Sequence, residues 1–265
     1  MTTYYLTALA AKDSVRDWDL TCLLLQETLF SLEQQSSPNF RSIVCCHDIP
    51  AFASKLDSRF TFLTHPYAPP SNAYANTGQN NGIRDMMLKR DVALHAASPA
   101  ASDWVVLLDA DDLFHRNLTS ELEQQTAAQG ALLEHGYELC QKSRKLLPRR
   151  DMVGRTTSSF ALRGGFVRTP QSADECDLKK SIYHEVWHSN VRQYLQANLL
   201  AVWEPQAPRV IYRVNTTLNR SDWYRVSKMR RWRHHLKFLL GRKVSDADRS
   251  DFAVDKFVGR AVGAC

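Results

Sequence analysis

Four short apolar runs, each separated from the next by polar or helix-patterned sequence, restrict this chain more than any other feature. They are YYLTALAA (4–11), RSIVCCHD (41–48), RFTFLTH (59–65) and DWVVLLDADD (103–112). Runs of this length, rich in β-branched and aromatic residues, read as buried strands. Between the first two lies DWDLTCLLLQETLFSLEQQ (17–35), where Leu20, Leu23, Leu24 and Phe30 recur at helical spacing and Asp17 or Asp19 can cap. SSPNF breaks that helix. The resulting β-α-β unit predicts a parallel strand pair. AFASKL predicts a short helix, PYAPPSNAYANTGQNNG (66–82) a long loop, and IRDMMLKRDVALHAAS (83–98) an amphipathic helix leading into the fourth strand. The order is that of an α/β protein with a mostly parallel sheet.

Beyond residue 112 the pattern weakens. NLTSELEQQTAAQGALLEHGYELCQKSRKLL (117–147) reads as mostly helical, broken at Gly130 and Gly136. VGRTTSSFALRGGFV (153–167) reads as one or two strands with turns, 179–198 as a helix and PRVIYRVN (208–215) as a strand. The C-terminal stretch is basic and reads as helical. No internal repeat is visible.

With 265 residues, 44% of them hydrophobic and 23% charged, the chain can bury the core of one large domain, with or without an appendage. Its net charge of +6 favours anionic partners such as nucleotides, nucleic acid or an acidic membrane surface. Six cysteines occur without a CxxC pair, which speaks against a disulfide framework or zinc site and for free thiols in a reducing cytoplasm. Adjacent Cys45 and Cys46 should point to opposite faces of a strand. The N-terminus lacks a signal-peptide pattern, and no run is long and apolar enough to cross a membrane.

The fourth strand poses the chemical question. WVVLL runs into Asp109, Asp111 and Asp112. If strand geometry continues, Asp109 and Asp111 face one side, and two carboxylates so close require a cation. Hard ions such as Mg²⁺ or Mn²⁺ suit this oxygen set and are shared with substrate phosphates. A solvated turn that caps the next helix is the alternative, and it suits Asp112 best. Ligands in parallel sheets bind beyond strand carboxyl ends, where Asp48 also stands.

VVLLDADDLF resembles the DxD motif of GT-A fold glycosyltransferases, and the order of elements over about residues 4–120 is similar to their nucleotide-binding half; VIYRVNTTLNRSD is similar to the C-terminal part of bacterial family-2-like members. The resemblance implies a GT-A (Rossmann-like) α/β fold, a mostly parallel sheet flanked by helices, with a helical basic C-terminal extension. It divides the chain into a nucleotide-sugar-binding half (1–120), an acceptor-side half of the same domain (121–222) and the extension (223–265). It implies a metal-dependent transfer of sugar from a nucleotide-diphosphate donor to a hydroxyl on a glycan or lipid-linked acceptor, inverting by direct displacement.

The residue roles follow from the same resemblance. Asp111 matches the acid that holds Mn²⁺ or Mg²⁺ on the donor diphosphate, and Asp109 the acid on the ribose or the metal. Thr7, Ala8 and Leu9 would lie near the base, and Asp48 at the base or ribose. Lys89 or Arg90, and less directly Arg84, would supply a cation for the diphosphate. Thr157, Ser158 and Ser159 are possible sugar contacts. SADECDLKKSIYHEVWH offers the catalytic base. His184 fits the acceptor-side position, and Glu185 and Asp177 lead the acids, with Asp174, Glu175 and His188 nearby.

Three rivals compete. HEVWH fits the HExxH metalloprotease pattern, but that reading leaves the acidic turn and the β-α-β order without a role. A haloacid-dehalogenase-like phosphatase also uses an apolar strand ending in DxD, though near the start of its domain. The basic tail, with Trp223, Tyr224, Trp232 and Phe238 among its cations, suits a peripheral membrane surface, nucleic acid less well, or simple packing on the core.

Overall fold

A computed structural model describes residues 1–68, 81–172, 186–214, 216 and 236–254. The described residues up to 114 follow the predicted order, and most of the predicted 66–82 loop (69–80) lies outside them. Strand β1 (Thr3–Ala8) leads into helix α1 (Trp18–Glu33), then β2 (Phe40–Cys46), a 3-10 turn at Ala51–Lys55, β3 (Phe60–Thr64), α2 (Asn81–Ala97) and β4 (Trp104–Leu108). Asp17 caps α1, its carboxylate accepting from the Leu20 amide at 2.9 Å.

These strands lie parallel in the order β4-β1-β2-β3. The period of two along each strand sorts side chains onto two faces. Tyr5, Val44, Cys46, Val106 and Leu108 pack on one, against Cys22, Leu25, Leu29 and Leu32 of α1. Leu6, Ile43, Cys45, Val105 and Leu107 pack on the other, against Val92, Ala93, Leu94 and Ala97 of α2. Cys45 and Cys46 thus separate onto opposite faces as expected, and Cys22, Cys45, Cys46 and Cys140 are buried and outside any disulfide.

The region after residue 117 departs from the expected helix. Only α3 (Leu118–Gln124) forms, followed by strands β6 (Gly130–Leu132), β7 (Gly136–Cys140) and β8 (Lys145–Arg149). Short apolar runs such as ALL and YELC carry no period that separates helix from strand. The two glycines are close-approach positions in strands, not helix breaks. A Cβ on Gly130 would meet Leu195 Cδ2 at 2.5 Å, and one on Gly136 would meet the Val210 carbonyl oxygen at 2.5 Å.

Strand β9 (Phe160–Arg163) runs antiparallel to both β4 and β6, and β10 (Val202–Trp203) continues the sheet beside β6. The main sheet therefore has seven strands, ordered β10-β6-β9-β4-β1-β2-β3. A second sheet of five strands has the order β12-β8-β7-β11-β5, with β5 at Leu113–Phe114, β11 at Val210–Val214 and β12 at Arg242–Lys243. The architecture is α/β, a mainly parallel sheet flanked by helices.

Of the basic C-terminal extension, residues 236–254 are described. Among its described residues, β12 pairs with β8, and α5 (Asp246–Phe252) buries Phe252 with Val244 and Val254 against the second sheet. Helix α4 (Val191–Ala197) is shorter than the predicted 179–198 helix, because residues 188–190 form a turn. Residues 173–185 and 217–235, with Asp177, His184, Glu185, Trp223, Tyr224 and Trp232, lie outside the described residues.

Candidate active site

The chain leaves the main sheet at Leu108 and enters the second at Leu113, so the acids occupy the crossing between the two sheets. Strand geometry ends before Asp109, and a turn takes over, closed by the Asp112 amide donating to the Asp109 carbonyl at 3.2 Å. Thr28 of α1 donates its hydroxyl to the Ala110 carbonyl at 3.1 Å and steadies the turn from the α1 side.

The three acids have three environments. Asp109 is held by Arg90 Nη2 at 2.6 Å, by Thr157 Oγ1 at 2.9 Å and by Thr156 Oγ1 at 3.0 Å. Burial pushes its carboxyl up, but the Arg90 charge and the two hydroxyls outweigh that and leave it below the ordinary value. Asp111 lies on the rim of a cleft and is partly exposed. Asp112 is fully buried, bonded to Thr156, with its Oδ1 unpartnered among the described residues. Burial first, then the charges of Asp111 and Asp109, push its carboxyl well above the carboxylate range. The expected capping role fails: the next helix, α3, starts at Leu118 behind Asn117.

The cleft measures about 340 Å³ and opens at the carboxyl ends of β1 and β4. Ala8, Leu9 and Ala10 form one side, and Asp109, Ala110 and Asp111 another. Ile83 and Met86 of α2 and Leu24 of α1 add apolar surface, while Thr156, Thr157 and His188 close the far side. A second cleft of about 660 Å³, lined by Glu134, Arg150, Asp151 and Arg192, shares Arg155 and His188 with the first.

Several sequence-predicted residues stand elsewhere. Thr7 is fully buried within the sheet, while Ala8 and Leu9 line the cleft. Asp48 accepts from the Lys12 amide at 2.8 Å and ties together the segments that follow β1 and β2. Lys89 does not line the cleft; its ammonium is buried, donating to Leu9 O at 2.8 Å and Asp85 Oδ2 at 2.7 Å. Arg90 lies beneath Asp109 as its counter-ion. Of the hydroxyl run, Thr157 touches Asp109 and Arg90, Ser158 receives the Asp109 amide at 2.9 Å, and Ser159 is spent on the Thr156 carbonyl.

Thr156 was missed as a sequence candidate, although it lies in the same run as Thr157 and Ser158. His188, one of several histidines in its segment by sequence, is the titratable base at the junction of the clefts. Burial keeps its imidazole below the ordinary value, and its Nδ1 is buried without a partner among the described residues. Of the HExxH stretch, the described residues 186–188 are not helical: Val186 and Trp187 are irregular and His188 opens a turn.

No protein-family model matches the chain. No curated protein matches it. Among solved structures, S. aureus TarS 1–349 in complex with UDP-GlcNAc aligns over 93% of this chain and 69% of that chain, with 11% identity and a TM-score of 0.48. The same fragment with UDP aligns over 93% and 68%, with 12% identity and a TM-score of 0.47. Rv0371c from Mycobacterium tuberculosis H37Rv aligns over 81% and 89%, with 11% identity and a TM-score of 0.35.

Proposed function

We propose that the chain is a GT-A fold glycosyltransferase that moves a sugar from a nucleotide-diphosphate donor to a hydroxyl acceptor. One observation carries this reading: Asp111 stands on a cleft at the carboxyl ends of two adjacent parallel strands, beside a carboxylate already neutralised by a buried arginine. The donor set fits a hard dication. Asp109 is bound to Arg90 and two hydroxyls, and Asp111, on the cleft, is the carboxylate assigned to the ion. Mg²⁺ or Mn²⁺ characteristically takes one or two carboxylates, phosphate oxygens and water. When bound, the ion would offset the charge that gathers on the leaving diphosphate.

The remaining roles belong to the chain. Ala8 and Leu9 offer small and apolar surface for the base, with Asp48 close to the ends of β1 and β2. Arg90 and the Thr156–Ser158 hydroxyls hold Asp109 in place for the ribose or the ion. His188, neutral near pH 7, can accept the acceptor's hydroxyl proton. The acceptor oxygen then bonds to the anomeric carbon while the bond to the diphosphate breaks and its electron pair leaves with the diphosphate. Asp177, His184 and Glu185 remain proposed bases for the same step. The second cleft suits a glycan or lipid-linked acceptor, since it meets the first at His188. Exposed Leu239 and Leu240, near exposed Arg242 and Lys243, suit peripheral contact with a cytoplasmic membrane surface.

A thermal-shift panel of UDP, GDP, CDP and dTDP, each with and without Mn²⁺, tests the proposal. One nucleotide at about a hundred times its Kd should raise Tm by roughly 5–10 °C, and only with the metal. Asp111→Asn should abolish that shift while the apo Tm changes little. A metal-dependent shift that survives Asp111→Asn would overturn the assignment.

A further inference from the structure

A second group of ligating side chains sits outside the cleft. His47 and His65 each follow directly on a strand, one residue past the paired ends Cys46 and Thr64 of β2 and β3. Asp85 reaches toward them from the first turns of α2. One ligand atom from each of the three lies within 4.8 Å of the others. The imidazole centroids are 5.0 Å apart, and His47 Nε2 is 3.9 Å from Asp85 Oδ1.

His65 is only 5% exposed, and its Nε2 is buried with no partner among the described residues. An orphaned buried ring nitrogen costs free energy unless something fills its lone pair or takes its proton. Its other nitrogen, Nδ1, lies 3.4 Å from the Tyr67 carbonyl and 3.3 Å from the Tyr67 amide. The Tyr67 amide can donate only to a bare Nδ1, whereas an Nδ1–H donated to the carbonyl leaves the lone pair on Nε2, and that second tautomer is the one an ion at Nε2 selects. This is the outer contact by which a metal-binding histidine is oriented and its tautomer set.

We propose that His47, His65 and Asp85 bind a zinc-type dication, distinct from any ion held at Asp111. Two imidazoles and one carboxylate form a borderline N₂O set, which suits Zn²⁺ or Co²⁺ better than Mg²⁺. Three protein ligands leave a fourth position for water. His47 Nε2 lies 3.0 Å from the Tyr67 carbonyl and its Nδ1 is buried with no partner among the described residues, so an ion takes His47 at Nδ1 or replaces the Tyr67 contact at Nε2.

Lys89 both opposes and defines this site. Its ammonium repels a nearby dication, but it occupies Asp85 Oδ2 at 2.7 Å and leaves Oδ1, the oxygen nearer His47, to the ion. The carboxylate then bridges the two cations. Bonds of about 2.0–2.1 Å require ligand atoms about 3.3 Å apart, so binding draws the start of α2 toward the ends of β2 and β3. Lys89 also holds the Leu9 carbonyl, and Leu9 lines the candidate active site. The ion would therefore pin one wall of that cleft without entering it. The cysteine spacing that argued against zinc does not bear on a histidine-aspartate site.

The test uses chelator-treated full-length protein in excess Mg²⁺. Calorimetric titration with Zn²⁺ should show one site of micromolar or tighter affinity, and Co²⁺ should give the intense visible bands of a low-coordinate centre. His65→Ala should weaken Zn²⁺ at least about 100-fold and remove the Co²⁺ bands, since even outer contacts cost 10–100-fold. His47→Gln serves the same comparison if His65→Ala does not fold, as judged by far-UV circular dichroism. Asp111→Asn should leave both signals in place, which separates this site from the acidic turn. Absence of Zn²⁺ binding in the wild type, or binding that no His47 or His65 variant weakens, would overturn the proposal.

Discussion

Thr156 Oγ1 lies 3.0 Å from Asp109 Oδ2 and also bonds Asp112 Oδ2, yet a hydroxyl has one proton to donate. The Ser158 amide donates to the same oxygen at 3.1 Å. A proton kept on Asp112 resolves the conflict: Asp112 donates to Thr156, and Thr156 donates to Asp109. Two acids then coexist beside Asp111 because one is neutral and the other is paired with Arg90. This sets a pH dependence with a definite sign. Asp112 has its folded pKa above its unfolded one, so the unfolded chain loses this proton first as pH rises. The stability contributed by this group therefore falls from about pH 4 upward until the folded group itself ionises. Asp112→Asn removes that slope. Urea unfolding should show the variant gaining on the wild type between pH 4 and pH 7, with the gap widest at pH 7. A constant difference across that range would refute a neutral Asp112.

At the scale of elements, β1 to β4 were legible because each is a short apolar run bounded by polar breaks. Helices α1 and α2 were legible because their apolar residues recur at helical spacing. Strands β6 to β8 were not, since nothing local distinguishes GAL or GYELC from a buried helical turn. Gly136 carries the tertiary reason, for β7 passes close enough to β11 to exclude a Cβ. Gly136→Ala would place that carbon 2.5 Å from the Val210 carbonyl oxygen and 2.8 Å from Met152 Cγ. The expected loss is about 1–3 kcal/mol in chemical denaturation. Gly154→Ala, whose Cβ meets nothing within 4 Å, should stay within about 0.5 kcal/mol of wild type.

At the scale of the whole molecule, the two sheets are joined beneath the acidic turn by buried charge. Glu27 of α1 and Arg213 of β11 approach to 2.7 Å, and both side chains are almost completely buried. Removing one member of such a pair strands the other charge away from water, which costs about 3–5 kcal/mol. Glu27→Gln should therefore lower stability by about that amount in guanidinium unfolding. Glu138 plays a related part within the second sheet. Burial pushes its carboxyl up, but Lys237 at 2.7 Å and Arg149 outweigh that and hold it below the ordinary value. Through Lys237 the C-terminal region is anchored to β7.

The sequence by itself determined the parallel β-α-β beginning, the helices α1 and α2 and the arrival of three acids at the end of β4. Those features rest on local period and polarity, which need no distant partner. Only the tertiary structure decided what each acid is. Arg90 comes from α2 and Thr156 and Thr157 from the turn before β9, and their approach to the β4–β5 crossing is what lowers Asp109, raises Asp112 and leaves Asp111 at the cleft. A carboxylate's charge state depends on burial and on neighbours in space, and residues 47 positions apart in the chain have no local signal that they will meet.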